Sequence, residues 1–312
     1  MAKENDMLLG PIVSEEIEKK KEYALRKDPV YFKTVKRTRL DSYLDEGWEY
    51  VKKLKTGIKI QKPRSYDEVV ENKMWCLLYK MGFNDLNSTR NFKIKYKLSG
   101  KNTVSKQIDV FAKDDDTVVV VECKSAEELK PKGLASELSE FSNLRTRLSN
   151  SIKKHYGDEF KPKIIWIFYT SNIIWSKIDT EKARDHRIKI ITDREYDYLN
   201  QIVNHLGAAA RYQFLAEYCG GEAIPNLKNK PVPAIKGRLG GRYFYSFVTT
   251  PEHLLKIAFV NHRALDDPKG IPTYQRLVQK SRIKQIEQFI QGGGYFPTNI
   301  LINFTHNLDF QV

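Results

Sequence analysis

Two acids and a lysine lie close together in residues 107–125, which read Gln-Ile-Asp-Val-Phe-Ala-Lys, Asp-Asp-Asp, then Thr-Val-Val-Val-Val-Glu-Cys-Lys-Ser. Two β-rich runs flank the aspartates, the pattern of a hairpin. Alternate residues of a strand share a face, so Glu122 and Lys124 point one way and Cys123 the other. A two-residue loop, Asp115 and Asp116, pairs Asp114 with Thr117. The same register carried outward pairs Asp109 with Glu122 on one face. A three-residue loop would put the two acids on opposite faces unless a bulge restored the match. Like charges directly opposite each other in a sheet are unfavourable. A cation between them reverses the sign, and Mg²⁺ typically takes one or two carboxylates plus waters and phosphate oxygens.

These residues need rigid elements to hold them. The four consecutive valines at 118–121 mark a central strand buried on both faces. A charged Glu122-x-Lys124 at its end is costly unless it serves a site; the alternative is a Glu–Lys pair emerging at the solvent end. Upstream, Ser65 is an N-cap with Glu68 at the capping-box position. The helix runs through Val69, Val70, Met74, Leu77 and Leu78, and Gly82 stops it. Residues 91–98 alternate, with Phe92, Ile94, Tyr96 and Leu98 on one face and Lys93, Lys95 and Lys97 on the other. The lysines could track a phosphate backbone or guard an edge strand. Residues 99–102 then turn the chain into the strand that carries Asp109. After Pro131 a helix is predicted over 134–152, from Leu134, Leu138, Phe141, Leu144 and Leu148. Arg145 and Arg147 occupy its other faces, where phosphate could be met. A buried strand at 163–170, a helix at 180–186, a short strand at 188–191 and a helix at 195–206 follow.

Asp109, then Glu122-x-Lys124 at the end of an apolar strand, resembles the PD-(D/E)xK nuclease superfamily, with Ile108 where that motif usually has Pro. Glu71, followed by Leu77-Leu78 and Met81-Gly82-Phe83, is similar to the first helix of Mrr-like members, where a Glu helps to bind metal. An exposed helical carboxylate is the other explanation of Glu71, and a cap explains Glu68. The order helix, three-strand meander, helix, strand, helix, strand, helix matches the family core over residues 63–206. The expected fold class is α/β, a restriction-endonuclease-like mixed sheet flanked by helices, its last strands parallel to the central one. The resemblance implies that Asp109, Glu122, Glu71 and the Cys123 backbone carbonyl hold Mg²⁺ (or Mn²⁺). It also implies that Lys124 orients or helps to deprotonate the attacking water. A base would need its ammonium pKa lowered, and nearby carboxylates raise it, so positioning is expected of Lys124.

Residues 1–62 read as a basic accessory region. It holds a helix over 14–25, a basic run at 33–39, and strands near 48–51 and 57–60 about a turn. Solvated basic faces explain it better than a dedicated DNA arm. Residues 207–312 read as a smaller α+β domain. Helix 208–218 and a loop at 225–233 lead to a Gly-rich basic stretch, a hairpin turn with Arg238 and Arg242 as candidate phosphate contacts. A strand at 243–248 and a helix at 252–260, opened by Thr250-Pro251, follow. Ile283, Ile286 and Ile290 form a helical stripe, three glycines end that helix, and a strand is expected after them. This segment resembles the opening of a DGQHR-type domain, related to the ParB-like fold. The motif that names the family does not occur before Val312, so the domain is expected to be incomplete. His262, Arg263 and Arg276 are candidate ligand contacts.

At 312 residues and a formal charge of +14, the chain has room for two domains. The charge favours a polyanionic partner, DNA before an acidic membrane, although a lysine-rich soluble surface carries the same charge. No run of ~18 apolar residues suggests a membrane span, and the acidic N-terminus does not suggest a signal peptide. Cys76, Cys123 and Cys219 are too far apart for a zinc motif and suit reduced thiols in a cytoplasmic protein. The expectation is a metal-dependent DNA endonuclease hydrolysing phosphodiester bonds, in defence against foreign or modified DNA, with DNA-modification or defence proteins as partners. Cutting both strands would need two sites and hence a homodimer. Two other classes stay open: a non-catalytic DNA-binding or sensing module, and an interaction subunit of a DNA-modification complex acting through residues 207–312.

Overall fold

The computed structural model describes residues 7–90, 92–97, 103–219, 231–258, 280–296 and 298–302, without the side chains of 7–9, 95–97, 103, 104 and 280. His262, Arg263 and Arg276 lie outside the described residues. The chain opens with strands β1 (Met7–Leu9) and β2 (Ile12–Val13) and helix α1 (Glu16–Arg26). Strand β3 (Val30–Val35), helix α2 (Leu40–Asp45), β4 (Glu49–Leu54) and β5 (Gly57–Pro63) follow. Helix α3 (Tyr66–Lys80) leads to β6 (Asp85–Asn87), β7 (Lys93–Lys97), β8 (Thr103–Gln107), β9 (Val110–Lys113) and the long β10 (Thr117–Pro131). Next come α4 (Ala135–Asn143), α5 (Arg145–Tyr156), β11 (Lys163–Ile174), α6 (Lys177–Asp185), β12 (Lys189–Ile191), α7 (Asp193–Leu206) and α8 (Ala210–Cys219). The remainder holds β13 (Ala234–Leu239), β14 (Arg242–Phe247), α9 (Pro251–Ile257) and α10 (Lys280–Gln291).

A six-stranded mixed sheet, ordered β12-β11-β10-β9-β6-β2, forms the centre. β10, β11 and β12 run parallel, as expected, while β9 is antiparallel to β10. Val119 and Val121 pack with Met74 and Leu78 of α3, Leu199 of α7 and Phe214 of α8. Val118 and Val120 pack with Leu138 of α4, Leu148 of α5 and Ala183 of α6. Helices on both faces explain why β10 reads as unbroken valine rather than as an alternation. Each such side chain contributes roughly 1.5–3 kcal/mol by leaving water.

Several elements differ from expectation. The helix predicted over 134–152 is two helices, α4 and α5, broken at Leu144, whose N–H turns back to the Phe141 carbonyl. Leu144 is itself buried in the core, so continuous apolar spacing conceals the break. The strand expected to carry Asp109 is also divided. β8 belongs to a separate three-stranded sheet, β1-β7-β8, and β9 belongs to the central sheet. The chain changes sheets at Ile108–Asp109. β7 is the middle strand of its sheet, which corrects the edge-strand explanation of Lys93, Lys95 and Lys97. No strand follows the triple glycine among the described residues of 294–302.

β2 and α1 are built into the central domain. β2 extends the central sheet at β6, and α1 lies on α3, with Tyr23 stacked on Tyr79 at 4.9 Å and Arg26 over Trp75 at 4.9 Å. β3, β5 and β4 form their own sheet. Beyond α8, β13 and β14 make the expected hairpin, with Leu239 opposite Arg242. Its loop residues Gly240 and Gly241 have φ of 54° and 81°, the left-handed conformation that two-residue hairpin turns demand. Among the described residues no helix is long and apolar enough to cross a membrane, and the three cysteines are free and buried.

Candidate functional site

The site begins with the hairpin. Asp114 Oδ1 accepts from the N–H of Asp116 at 3.0 Å, and from the N–H and hydroxyl of Thr117, each at 2.7 Å. The Asp114 N–H donates to the Thr117 carbonyl at 3.0 Å. A short polar side chain thus closes the turn on its own backbone and fixes the two-residue loop. The ladder runs from Val118 opposite Lys113 to Val121 opposite Val110. Val121 and Val110 are the last paired residues, so Glu122 and Asp109 are the next along each run, and the three-residue alternative falls away.

Asp109 sits where the chain leaves one sheet for the other. Asn87 of β6, fully buried, bridges that crossing. Its amide donates to the Asp109 carbonyl at 3.2 Å, and its oxygen accepts from the Phe111 N–H at 3.0 Å. The Asp109 carboxylate accepts from the Cys123 N–H at 2.8 Å and from Gln107 Nε2 at 3.2 Å. Lys124 Nζ donates to Glu122 Oε1 at 2.7 Å. Lys106 Nζ is 3.8 Å from the same oxygen and 3.6 Å from Glu140 of α4. Asp109, Glu122, Cys123 and Lys124 are therefore assembled at one place.

Glu71 is buried on α3, close enough for its charge to act on Asp109. Both of its oxygens are taken by Arg90, through Nε at 2.6 Å and Nη2 at 2.7 Å. Glu68 departs from the expected capping box. Ser65 accepts from the Glu68 N–H at 3.4 Å, but the Glu68 carboxylate turns to the Tyr31 hydroxyl, to Arg64, and to Arg90 at 3.5 Å. Charge-assisted bonds to two guanidinium groups outweigh one bond to the cap backbone.

These surroundings separate the acids electrostatically. Burial, then the charges of Glu122 and Glu71, push the Asp109 carboxyl up to about 7. For Glu68, burial acts upward, but the bonds from Tyr31 and Arg64 prevail and the pKa falls below its ordinary value. Burial acts to lower the Lys124 pKa, yet Glu122 prevails and raises it. Burial also raises the Cys123 thiol, which marks it as packing rather than nucleophile.

A buried acid facing a second acid is a place where a cation is favoured over empty space. Asp109 and Glu122 offer hard oxygen donors, which suit a two-carboxylate Mg²⁺ site. Among the described residues no group of three or more His, Cys, Asp or Glu side chains could hold a metal, and Glu71 is already closed by Arg90.

The remaining candidates lie elsewhere. Arg145 donates to the His186 and Arg187 carbonyls, at 2.5 and 3.2 Å, and stacks over Trp166 at 4.9 Å; it ties the start of α5 to the end of α6. Lys93 is half-buried, and the side chains of Lys95 and Lys97 lie outside the described residues. Arg238 and Arg242 are exposed beside the β13–β14 turn. Sequence reasoning missed Lys106, Gln107 and Arg90. Gln107 carried a local signal, two positions from Asp109 along the chain. Lys106 is opposite Ile94 in the β7–β8 register, so it shares the inward face, which only the pairing reveals. Arg90 follows β6 in a stretch with no periodic signal.

Neither a protein-family model nor a curated protein matches the chain. Among solved structures it is similar to protein VC1899 from Vibrio cholerae, at 14% identity and a TM-score of 0.33, covering 62% of this chain and 52% of that one. It is also similar to Can2 from Sulfobacillus thermosulfidooxidans, solved in complex with cyclic tetra-adenylate, at 14% identity and a TM-score of 0.28, covering 60% of this chain and 50% of that one. The chain thus spans about half the length of the structures it matches. Its fold class rests on its own topology: an α/β architecture with a mixed sheet flanked by helices.

Proposed function

We propose that the chain is a Mg²⁺- or Mn²⁺-dependent DNA endonuclease that hydrolyses phosphodiester bonds, acting in defence against foreign or modified DNA. The observation that carries this reading is two buried acids brought to one place, Asp109 just before β9 with its carboxylate on the Cys123 N–H at 2.8 Å, and Glu122 next to it on β10 with Lys124 at 2.7 Å. Such an arrangement is costly for the fold alone, and a cation-dependent site gives it a purpose.

Asp109, Glu122 and the Cys123 carbonyl would hold the ion. When bound, that ion polarises a phosphoryl oxygen and lowers the pKa of its water. The Cys123 N–H and Gln107 keep the Asp109 carboxylate aimed while it is ionised. Lys124 stays protonated under the influence of Glu122, so it orients the attacking water and steadies charge on the phosphate rather than accepting a proton. The net charge of +14 supplies general affinity for the DNA backbone. Cleavage of both strands would bring two copies together.

The test is to incubate the purified chain with modified and unmodified plasmid, with and without Mg²⁺ or Mn²⁺. Asp109→Ala, Glu122→Ala and Lys124→Ala should each abolish cleavage and leave DNA affinity nearly intact. Undiminished cutting by Lys124→Ala removes this mechanism. A second reading, a non-catalytic DNA-binding module, draws on the closure of Glu71 by Arg90. Salt-dependent binding with no cleavage under any divalent metal would favour it.

A further inference from the structure

Glu71 and Asp109 stand close enough for one charge to act on the other. Acids so placed could in principle hold a pair of metal ions, which in two-metal phosphoryl-transfer sites lie about 3.5–4 Å apart. Glu71 is not available for that. Its side chain is only 8% exposed, and the Arg90 fork covers both oxygens. Arg90 also reaches Glu68 at 3.5 Å, so one guanidinium serves two acids of α3. A guanidinium stays charged at any working pH, and its planar fork matches a carboxylate edge. To bind Glu71, a divalent ion would have to shed water, displace that fork and leave Arg90 without its partner.

We infer that Arg90 is a positioning residue that takes the place of a second metal, so that the site binds a single divalent ion, at Asp109 and Glu122. This rests on the metal-site reading above and sharpens it. Glu71 acts as the seat of a built-in organic cation and not as a metal ligand.

The test is a calorimetric titration of the metal-free full chain with Mn²⁺, in the absence of DNA. The wild-type chain should bind one ion, and Asp109→Ala should bind none. Arg90→Ala should bind two, and adding Glu71→Gln should return it to one. Arg90→Gln, which keeps amide donors for Glu71 but no charge, should also bind two and serves if Arg90→Ala does not fold. Glu71→Gln alone, which leaves Arg90 in place, should still bind one. Two ions in the wild type, one ion in the folded Arg90 variants, or loss of the single ion in Glu71→Gln would each overturn the inference. A wild-type chain that binds no Mn²⁺ would instead overturn the metal-site reading on which it rests.

Discussion

Glu68 and Glu71 on α3 form one pair of buried acids, and Asp109 and Glu122 on the sheet form another. The α3 pair is met by Arg64, Arg90 and the Tyr31 hydroxyl. The sheet pair has the Lys124 ammonium in contact, Lys106 farther off, and neutral donors from Cys123 and Gln107. The outcomes are opposite: Glu68 titrates below its ordinary value and Asp109 above it. Burial is common to both pairs, so burial alone does not make a site. Asp109 differs in having fewer positive partners against its burial and its acidic neighbours, and on the proposed reading that is what leaves work for a cation to do.

The comparison can be broken most directly at Lys124. If the sheet pair is the reactive one, Lys124→Ala should lower plasmid cleavage by about 10²–10³-fold or more, on the scale of losing one preorganised donor to developing charge. Arg90→Ala should act on stability instead, since it strands the buried Glu71 charge. A fully buried pair broken this way costs about 3–5 kcal/mol. Arg90 is 38% exposed, so solvent screening reduces the expected loss to roughly 2–3 kcal/mol, read from urea unfolding.

Asp109 and Glu68 should also respond to pH with opposite sign. Asp109, raised from 3.8 to about 7, is penalised when ionised. In the metal-free protein its contribution to stability is largest at low pH and is lost as pH rises through that interval. Asp109→Asn should flatten that decline, and saturating Mn²⁺ should oppose it. Glu68, lowered from 4.5, contributes stability that is present above 4.5 and lost as pH falls through its folded value, and Glu68→Gln should remove that loss. Matching slopes for both variants in unfolding curves from pH 3 to 8 would abolish the distinction. The smallest effect is expected at Lys106. At 3.8 Å from Glu122 and 32% exposed, it contributes as a surface pair does, ~0.2–1 kcal/mol. Lys106→Ala should therefore lower cleavage about fivefold or less.

What the sequence disclosed was local. The hairpin, its register and the doubly covered strand follow from Asp114, the loop aspartates and the valines, all within a few residues of one another. Glu68 shows the limit. A capping box is a local pattern, and it was overruled by Arg64 close by and by Tyr31 of β3 and Arg90 after β6, both distant in sequence. β6, three residues long and wholly buried, is too short to show a period, yet it supplies Asn87. The change of sheet at Asp109 left no trace, because β8 and β9 together read as one extended run.

That change of sheet has a mechanical consequence. Lys106 and Gln107 ride on one slab, Glu122 and Lys124 on another, and Asp109 is the peg between them. The alignment of the two acids is thus a property of the joint. The Asn87 side chain, bonded on both sides of that joint, is what pins the peg to the central slab.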